Sequence, residues 1–448
     1  MTVATSLPQV ARTSTPAVTV HDVVSLPPET PEIVAHRIDV PRRADSEQEY
    51  ALSFGGWVLG KSAPVAAVEL IATGRVMTTS VVRLVRPGVT AAYPDHPEAC
   101  GYWFRAGVLG MPSEFRLTLR AVLGDGSRVP LGYVVGRRLP VRSDACPTLA
   151  PLMVTSLGRM GTTWLMRLLA EHPSILVHRE YPYELMAGRY WMHQLRVLSA
   201  PFDRDASPHP DTLGSDLWRI GANPSYGPML GGCRTLSSWL GRAHVERLAT
   251  FCQESIDTFY GLLAQEQSQP AATFFAEKYL PDQLPALVWE LYPRAKEVFL
   301  VRDIRDAVCS MLAFNAKRGY QSFGRGQVPS DAAFVRRLAC DMAILAQASR
   351  SREGRSHLVR YEDLVADPGR VIAGILEYAG LGHDVDTVHG MVERSSTESP
   401  ELAAHRTSEN PAASIGRWRR DLPRELVAEC AEAFTPILDE FGYDPTPT

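Results

Sequence analysis

The sequence of 448 residues lacks the patterns of a disulfide-linked, zinc-binding or membrane-spanning protein. Its seven cysteines are scattered, odd in number and include no C-x-x-C pair, so we expect reduced thiols in a cytoplasmic protein. No run of about 20 apolar residues is present, and the chain does not begin with a basic stretch followed by an apolar run. We therefore predict neither a transmembrane helix nor a signal peptide.

The chain also lacks an excess of positive charge. Its formal net charge is −4, and only four residues are lysine, at positions 61, 278, 296 and 317. Proteins that bind nucleic acids or membrane surfaces usually carry a basic field, so we predict no nucleic-acid partner and no membrane insertion. An anionic ligand therefore needs a local cluster of basic side chains. Nothing in the sequence indicates the oligomeric state.

The character of the chain changes along its length. Residues 1–35 are rich in Thr, Pro, Ser and Val without a period, which predicts a disordered tail. Residues 36–140 contain short apolar runs separated by turn signals, which predicts a small all-β, sandwich-like domain with a hairpin turn at Asp125-Gly126. This region is either a docking or acceptor-binding module or a structural appendage. Residues 141–150 are predicted to be a linker.

Residues 151–448 are predicted to form an α/β domain with a central parallel sheet. Buried strands at 152–155, 297–301 and 357–359 alternate with helices along this part of the chain. Ligands of such sheets bind beyond the carboxyl ends of the strands. The functional residues are therefore expected at those ends.

A glycine-containing loop, residues 156–164, connects the first of these strands to the next helix. Gly161 allows close backbone approach, Arg159 adds charge, and Thr162 and Thr163 add hydroxyl donors that also favour capping of the helix. A phosphate site has this pattern, and so does an ordinary capped helix start. No lysine follows Gly161, so the loop is not a Walker A motif and a Mg-nucleotide kinase is not indicated.

A second anion site is indicated at the end of strand 297–301. Arg302 lies at its carboxyl end, and Ser310 lies about two helical turns further on. A guanidinium fork and a hydroxyl together can hold a phosphate, although a surface salt-bridge cluster has a similar composition. Two such sites on one sheet edge suit a ligand with two separated phosphates.

These segments, taken in order, resemble the sulfotransferase superfamily. The run Arg159, Met160, Gly161, Thr162, Thr163, Trp164 is similar to its 5′-phosphosulfate loop, with Met160 in place of the common serine. The run from Arg302 to Ser310 is similar to its 3′-phosphate motif, and Tyr361 matches a tyrosine that lies near the adenine and the 3′-phosphate. The run Ile415, Gly416, Arg417, Trp418 resembles the loop that closes over the nucleotide. The resemblance covers roughly residues 150–445.

The resemblance implies a P-loop-like sulfotransferase domain with these residues around the donor. The implied donor is 3′-phosphoadenosine 5′-phosphosulfate (PAPS), the implied product is 3′-phosphoadenosine 5′-phosphate (PAP), and no metal is required. The sulfuryl group would pass to an acceptor hydroxyl. A glycan or a glycosylated metabolite is the expected acceptor, because a Glu-Lys pair in the chain resembles that of glycan-modifying members.

Two glutamates are candidates for the base that takes the acceptor proton. Glu277 precedes Lys278 at the end of a short apolar strand, and in the glycan-modifying members the corresponding glutamate is the base while the lysine assists the leaving group. Glu180 follows the strand 175–177, where other members place their base, and it either takes the proton or binds the acceptor. Of the two, Glu277 is favoured, and a base other than these two is the remaining alternative. The polar run 405–408 is expected, from its position alone, to touch the donor or the acceptor.

Two other classes of function match part of the pattern. A metal-dependent phosphotransferase would need the Walker A lysine that the loop lacks. A non-catalytic nucleotide-binding or scaffold protein would bind the nucleotide without turnover.

Overall fold

The computed structural model describes residues 15–27, 32–61, 63–200, 239–281, 284–397 and 400–445. The chain folds into two compact units. The first combines residues 1–145 with 191–253 and 286–291, and the second combines 146–190, 254–285 and 292–448. The break between 145 and 146 falls inside the predicted linker. No helix in the described part of the chain is long and apolar enough to cross a membrane.

The described residues of the first unit up to position 138 form antiparallel strands and one short helix. These elements are β1 (Val18–Ser25), β2 (Ile33–Val40), β3 (Ser46–Glu47), β4 (Ala51–Gly60), β5 (Val65–Ala72), β6 (Arg75–Val81), β7 (Leu84–Val85), α1 (Pro87–Ala92), β8 (Ala99–Gly107), β9 (Glu114–Leu123) and β10 (Arg128–Arg138). One sheet has the order β3-β1-β10-β9-β5-β6 and the other the order β2-β4-β8-β7. The predicted all-β region is confirmed.

Alternation of apolar residues explains why β9 is a half-buried strand. Phe115, Leu117 and Leu119 are buried on one side, while the residues between them are more exposed. The turn that follows is stabilised locally, because the Ser127 backbone N–H donates to Oδ1 of Asp125 at 2.9 Å and the next residues pair with β9 as strand β10. The predicted hairpin is therefore confirmed.

The predicted boundary of the disordered tail is wrong. Strand β1 lies within residues 1–35 and pairs antiparallel with β10, and Val18 and Val20 are buried in that sheet. The segment is rich in Thr, Pro and Ser overall, but it includes a short run in which apolar residues alternate with others. This run is stabilised as a strand by pairing with another strand more than 100 residues away. Residues 1–14 lie outside the described part.

The second unit is built around a parallel sheet. Its strands are β11 (Ala150–Thr155), β12 (Ile175–Leu176), β13 (Phe274–Tyr279), β14 (Lys296–Val301) and β15 (Ser356–Arg360), in the order β12-β13-β11-β14-β15. All four pairings are parallel. The predicted α/β fold with a central parallel sheet is confirmed.

Helices precede and follow these strands. From β11 onward they are α2 (Thr162–Ala170), α3 (Ala187–Ser199), α4 (His244–Glu266), α5 (Leu284–Leu291), α6 (Ile304–Arg318), α7 (Asp331–Ser351), α8 (Tyr361–Ala366), α9 (Pro368–Ala379), α10 (Val385–Ser395), α11 (Pro400–His405), α12 (Trp418–Asp421) and α13 (Arg424–Leu438). Strand β14 shows why both faces of the sheet are covered. Val298 and Leu300 belong to one buried cluster, and Phe299 and Val301 belong to another.

Candidate active site

A cavity of about 400 Å³ lies beyond the carboxyl ends of β11 and β14, within the second unit. Its lining includes the following residues that the sequence predicted: Arg159, Gly161, Thr162, Thr163, Trp164, Arg302, Ser310 and Tyr361. The other basic side chains in the lining are Arg167 and Arg406. Among the described lining residues, Glu184 is the one carboxylate. The cavity is therefore suited to a ligand with several negative charges.

The glycine-containing loop presents the start of α2 to this cavity. Gly161 has φ of 99°, and a side chain there would collide with the Tyr361 ring, so the position requires glycine. No side chain caps α2, which leaves backbone N–H groups at its start for an anion. The loop is tied to the sheet, since Ser156 Oγ donates to the Leu300 carbonyl at 2.6 Å. Capping by Thr162 or Thr163, expected as an accessory role, is not observed.

Met160 belongs to the loop, but its side chain does not line the cavity. Its side chain is completely buried with Phe299 and Val301 in the core on one side of the sheet. The sequence placed Met160 among the donor-binding residues. The structure leaves only its backbone for such a contact.

Arg302 is the most buried of the cationic side chains that line the cavity. It is 4% exposed, its Nη1 donates to the Arg159 carbonyl at 3.3 Å, and its Nη2 donates to the Ser414 carbonyl at 2.5 Å. The guanidinium lies over the Tyr361 ring, 4.5 Å from its centroid. Its Nε has no partner among the described residues. A buried donor without a partner is costly, so this atom fits an anionic ligand.

The two predicted anion sites are adjacent. Ser310 Oγ accepts a hydrogen bond from Arg159 Nε at 3.0 Å and lies 3.1 Å from Thr407 Oγ1. Helix α6, which carries Ser310, begins at an N-cap, because Asp303 accepts from the Arg305 backbone N–H at 3.0 Å. The loop and the strand-end arginine therefore line the same cavity as neighbours.

Residues 415–418, which resemble the loop that closes over the nucleotide, lie beside the cavity but are not part of its described lining. Asp306 on α6 accepts from the backbone N–H groups of Gly416 at 2.7 Å and Trp418 at 3.0 Å. Arg417 pairs with Asp421 and also donates to Thr407 at 3.1 Å, while the Trp418 side chain is buried in the core. Ile415 and these three neighbours lie outside the described cavity lining, which includes Ser414.

The polar run 405–408 lines the cavity throughout. The expectation that it lies near a ligand was based on its position alone. The lining also includes Phe323, Ser395 and Asn410, for which the sequence offered no signal. These residues come from segments that only the tertiary fold brings to the carboxyl ends of the strands.

Glu184 forms an ion pair with Lys278 at the edge of the cavity. Lys278 Nζ donates to Glu184 Oε1 at 2.7 Å, to the Pro182 carbonyl at 3.1 Å and to Thr163 Oγ1 at 3.3 Å. Burial lowers the pKa of Lys278, and the carboxylate of Glu184 opposes that shift. The lysine therefore connects the loop to the segment that carries Glu184.

Glu277 does not line the cavity. It is 1% exposed, and it accepts hydrogen bonds from the backbone N–H groups of Gly188 at 2.5 Å and Arg189 at 2.9 Å and from the Tyr260 hydroxyl. Consecutive residues of a strand point to opposite faces, which separates Glu277 from the neighbouring Lys278. Its carboxylate therefore holds the first turn of α3.

Glu180 also lies outside the described cavity lining. Its side chain is 87% exposed, and its Oε2 lies 3.9 Å from His178 Nε2. The carboxylate in the cavity is four residues further along the same segment. Glu184 was not predicted from the sequence, where the one signal for it was its place on the polar segment after β12.

Replacing Glu277 with glutamine is expected to flatten the pH dependence of the unfolding free energy. Burial raises the pKa of Glu277 from 4.5 to about 7, against the Tyr260 and backbone hydrogen bonds that lower it. Its stabilising contribution is thus fully present below pH 4.5 and is lost as the pH rises through about 7. Across that range the wild type should lose roughly 3 kcal/mol relative to the variant.

Urea unfolding of the wild type and Glu277→Gln measures this difference from about pH 5 to about pH 8. Parallel curves for the two proteins would show that Glu277 does not change its protonation in this range.

The chain is similar in sequence to known sulfotransferases. A model of the sulfotransferase family matches residues 151–385. Carbohydrate sulfotransferase 1 of Mus musculus is 27% identical over 173 residues, which are 36% of this chain and 42% of the relative. The Danio rerio protein of the same name is 28% identical over 173 residues, 36% of this chain and 41% of the relative. The chain thus spans about two fifths of the length of these relatives.

Solved structures show a more distant similarity. The sulfotransferase domain from the curacin biosynthetic pathway is 18% identical with a TM-score of 0.40, covering 67% of this chain and 99% of that one. Mouse sulfotransferase SULT7A1 complexed with PAP is 13% identical with a TM-score of 0.36, covering 66% and 86%. The family model matches more than half of the chain, and the match includes the loop, Arg302 and the Glu184–Lys278 pair. The chain therefore belongs to the sulfotransferase family.

Proposed function

We propose that this chain is an enzyme that transfers a sulfuryl group from PAPS to a hydroxyl of a glycan or a glycosylated metabolite. The observation that supports this most strongly is the content of one cavity. Its lining includes an uncapped helix start, a buried arginine with an unpartnered donor, and Glu184, which is held from outside the lining by its ion pair with Lys278. A donor-binding site and a proton acceptor thus lie together.

The residues present fit a nucleotide with two separated phosphate groups. The start of α2 and Arg159 suit the 5′-phosphosulfate, and Arg302 with Ser310 suits the 3′-phosphate. Trp164 and Tyr361 offer aromatic surface in the same cavity for the adenine. When bound, the donor supplies a sulfur atom already activated by a phosphate leaving group. We propose that no metal is needed for this step.

In the proposed reaction, Glu184 is the base. Its carboxylate takes the acceptor's hydroxyl proton as the new oxygen–sulfur bond forms and the bond from sulfur to the bridging phosphate oxygen breaks. Lys278 holds this carboxylate in the cavity. Arg159, on the loop, is placed to balance negative charge on the departing phosphate.

The other two carboxylates have different proposed roles. Glu277 is a positioning residue, because it holds the start of α3, four residues beyond Glu184. Glu180 is exposed and forms no part of the cavity wall, so we assign it no chemical step. We therefore propose Glu184, and not Glu277, as the base.

A carbohydrate acceptor is supported by the names of the relatives, which are carbohydrate sulfotransferases. The experiment is transfer of ³⁵S from labelled PAPS to a panel of neutral oligosaccharides and glycosylated small molecules, with mass spectrometry of the products. Labelled acceptor is the expected result. Binding of PAP without transfer to any acceptor would favour a non-catalytic nucleotide-binding protein, and phosphate transfer from ATP with magnesium would favour a phosphotransferase. The cytoplasmic location stays a prediction.

A further inference from the structure

His405 contacts the loop arginine with both its ring and its backbone. The residue ends α11 and lines the cavity. Arg159 Nη1 lies 2.5 Å from His405 Nε2, and Arg159 Nη2 donates to the His405 carbonyl at 3.0 Å. Together with the bond from Arg159 Nε to Ser310, these contacts engage all three nitrogens of the guanidinium.

The contacts determine which form of the imidazole is present. A guanidinium can only donate, so Nε2 of His405 must be the unprotonated nitrogen. The proton is then on Nδ1, which lies 2.8 Å from the Tyr181 hydroxyl oxygen and donates to it. His405 thus connects Arg159 to a tyrosine three residues before Glu184.

The surroundings of the ring keep it neutral. Burial, and after it the positive charges of Arg159, Lys278, Arg318 and Lys317 in that order, together lower the pKa of His405 to about 4. A second cation against Arg159 would be repelled, so protonation would break the contact. At neutral pH the imidazole accepts from Arg159 without competition from a proton.

We propose that His405 is a positioning residue for sulfuryl transfer, whose neutral imidazole fixes the Arg159 guanidinium at the phosphosulfate loop and ties it to the Tyr181 segment that leads to Glu184. This inference rests on the proposed function. Without the imidazole, Arg159 keeps Ser310 and the His405 carbonyl as acceptors and the Phe314 ring, 4.8 Å from its Cζ, as a contact. The guanidinium then has more freedom where an exact placement is needed.

The kinetic test compares two amides at position 405. Glutamine can place its amide oxygen where Nε2 lies and so accept from Arg159, whereas the shorter asparagine cannot reach. His405→Asn is expected to lower kcat about 10- to 100-fold, since small misplacements near the chemistry have such effects. The Kd for PAP should change less than about threefold, because the helix start and Arg302 still hold the phosphates. His405→Gln should restore most of the lost kcat.

The outcomes separate this inference from the function on which it rests. Equal and undiminished kcat in both variants, or an equal loss in both, would overturn the positioning role. If the wild type transfers no sulfuryl group, the proposed function fails, and a measurement independent of activity decides on His405. In ¹⁵N-histidine-labelled wild type, the His405 signals, identified by their absence in His405→Gln, should be those of a neutral ring with the proton on Nδ1 from about pH 5.5 to about pH 8. A charged ring or a proton on Nε2 in that range would contradict the inference.

Discussion

Glu184→Gln is expected to lower kcat for sulfuryl transfer by about 10²- to 10⁴-fold, the usual contribution of a general base. The amide keeps the size of the side chain and can still accept from Lys278, but it cannot take a proton. The Kd for PAP should stay within about threefold of the wild type, because Arg302, Ser310 and the start of α2 are untouched. Steady-state kinetics with the acceptor found by ³⁵S transfer, together with calorimetry, measure both quantities.

The chain offers matched controls for this variant. Glu180→Gln removes a carboxylate of the same segment whose side chain is 87% exposed, and kcat should not change. Glu277→Gln removes the buried carboxylate that holds α3, so it should act mainly on stability. If Glu277→Gln abolished turnover with unaltered folding while Glu184→Gln remained active, Glu277 would be the base and our assignment would be wrong.

Arg302→Ala is expected to weaken PAP binding by about 1.5–3 kcal/mol, the range for a hydrogen bond to a charged group, or about 10- to 150-fold in Kd. The side chain is buried, lines the cavity and has an Nε without a partner among the described residues. The same substitution removes the donor to the Ser414 carbonyl, so the variant should also be less stable than the wild type. Calorimetric titration with PAP gives the two Kd values directly.

Arg336→Ala is the matched control for this effect. Arg336 lies on α7, pairs with Glu429 at 2.5 Å and is 61% exposed in its side chain, so its loss should leave the Kd for PAP unchanged. Urea unfolding of Arg302→Ala shows whether the variant is folded at the titration temperature. Equal PAP affinity in a folded Arg302→Ala and the wild type would remove Arg302 from the donor site.

The parts of the site that the sequence predicted are those encoded by neighbouring residues. The loop with Arg159 and Gly161 follows a buried strand directly, and Arg302 follows another, so the rule that strand ends meet at one edge was sufficient to bring them together. The order of the two motifs along the chain also matched that of the sulfotransferase superfamily. Placing the two motifs at one edge of the sheet required no knowledge of contacts between distant segments.

The carboxylate that we propose as the proton acceptor was not predictable in the same way. Glu277 lies near the end of strand β13, while Glu180 and Glu184 lie on the polar segment after β12, and residue type and spacing alone do not distinguish the three. Glu277 is buried against α3, and Glu180 is exposed to solvent, so neither lines the cavity. Glu184 lines the cavity wall and forms a salt bridge with Lys278. Which carboxylate faces a cavity depends on contacts between distant segments, so it required the structure.

The most direct test of the central claim is calorimetric titration of the wild type with PAP in the presence of EDTA, alongside titration with ATP and magnesium. We predict that PAP binds without any metal and more tightly than ATP with magnesium, because Arg302 and Ser310, which line the cavity, are the residues we propose for its 3′-phosphate. No binding of PAP, or binding of ATP alone and only with magnesium, would contradict the assignment of this cavity to a sulfuryl donor.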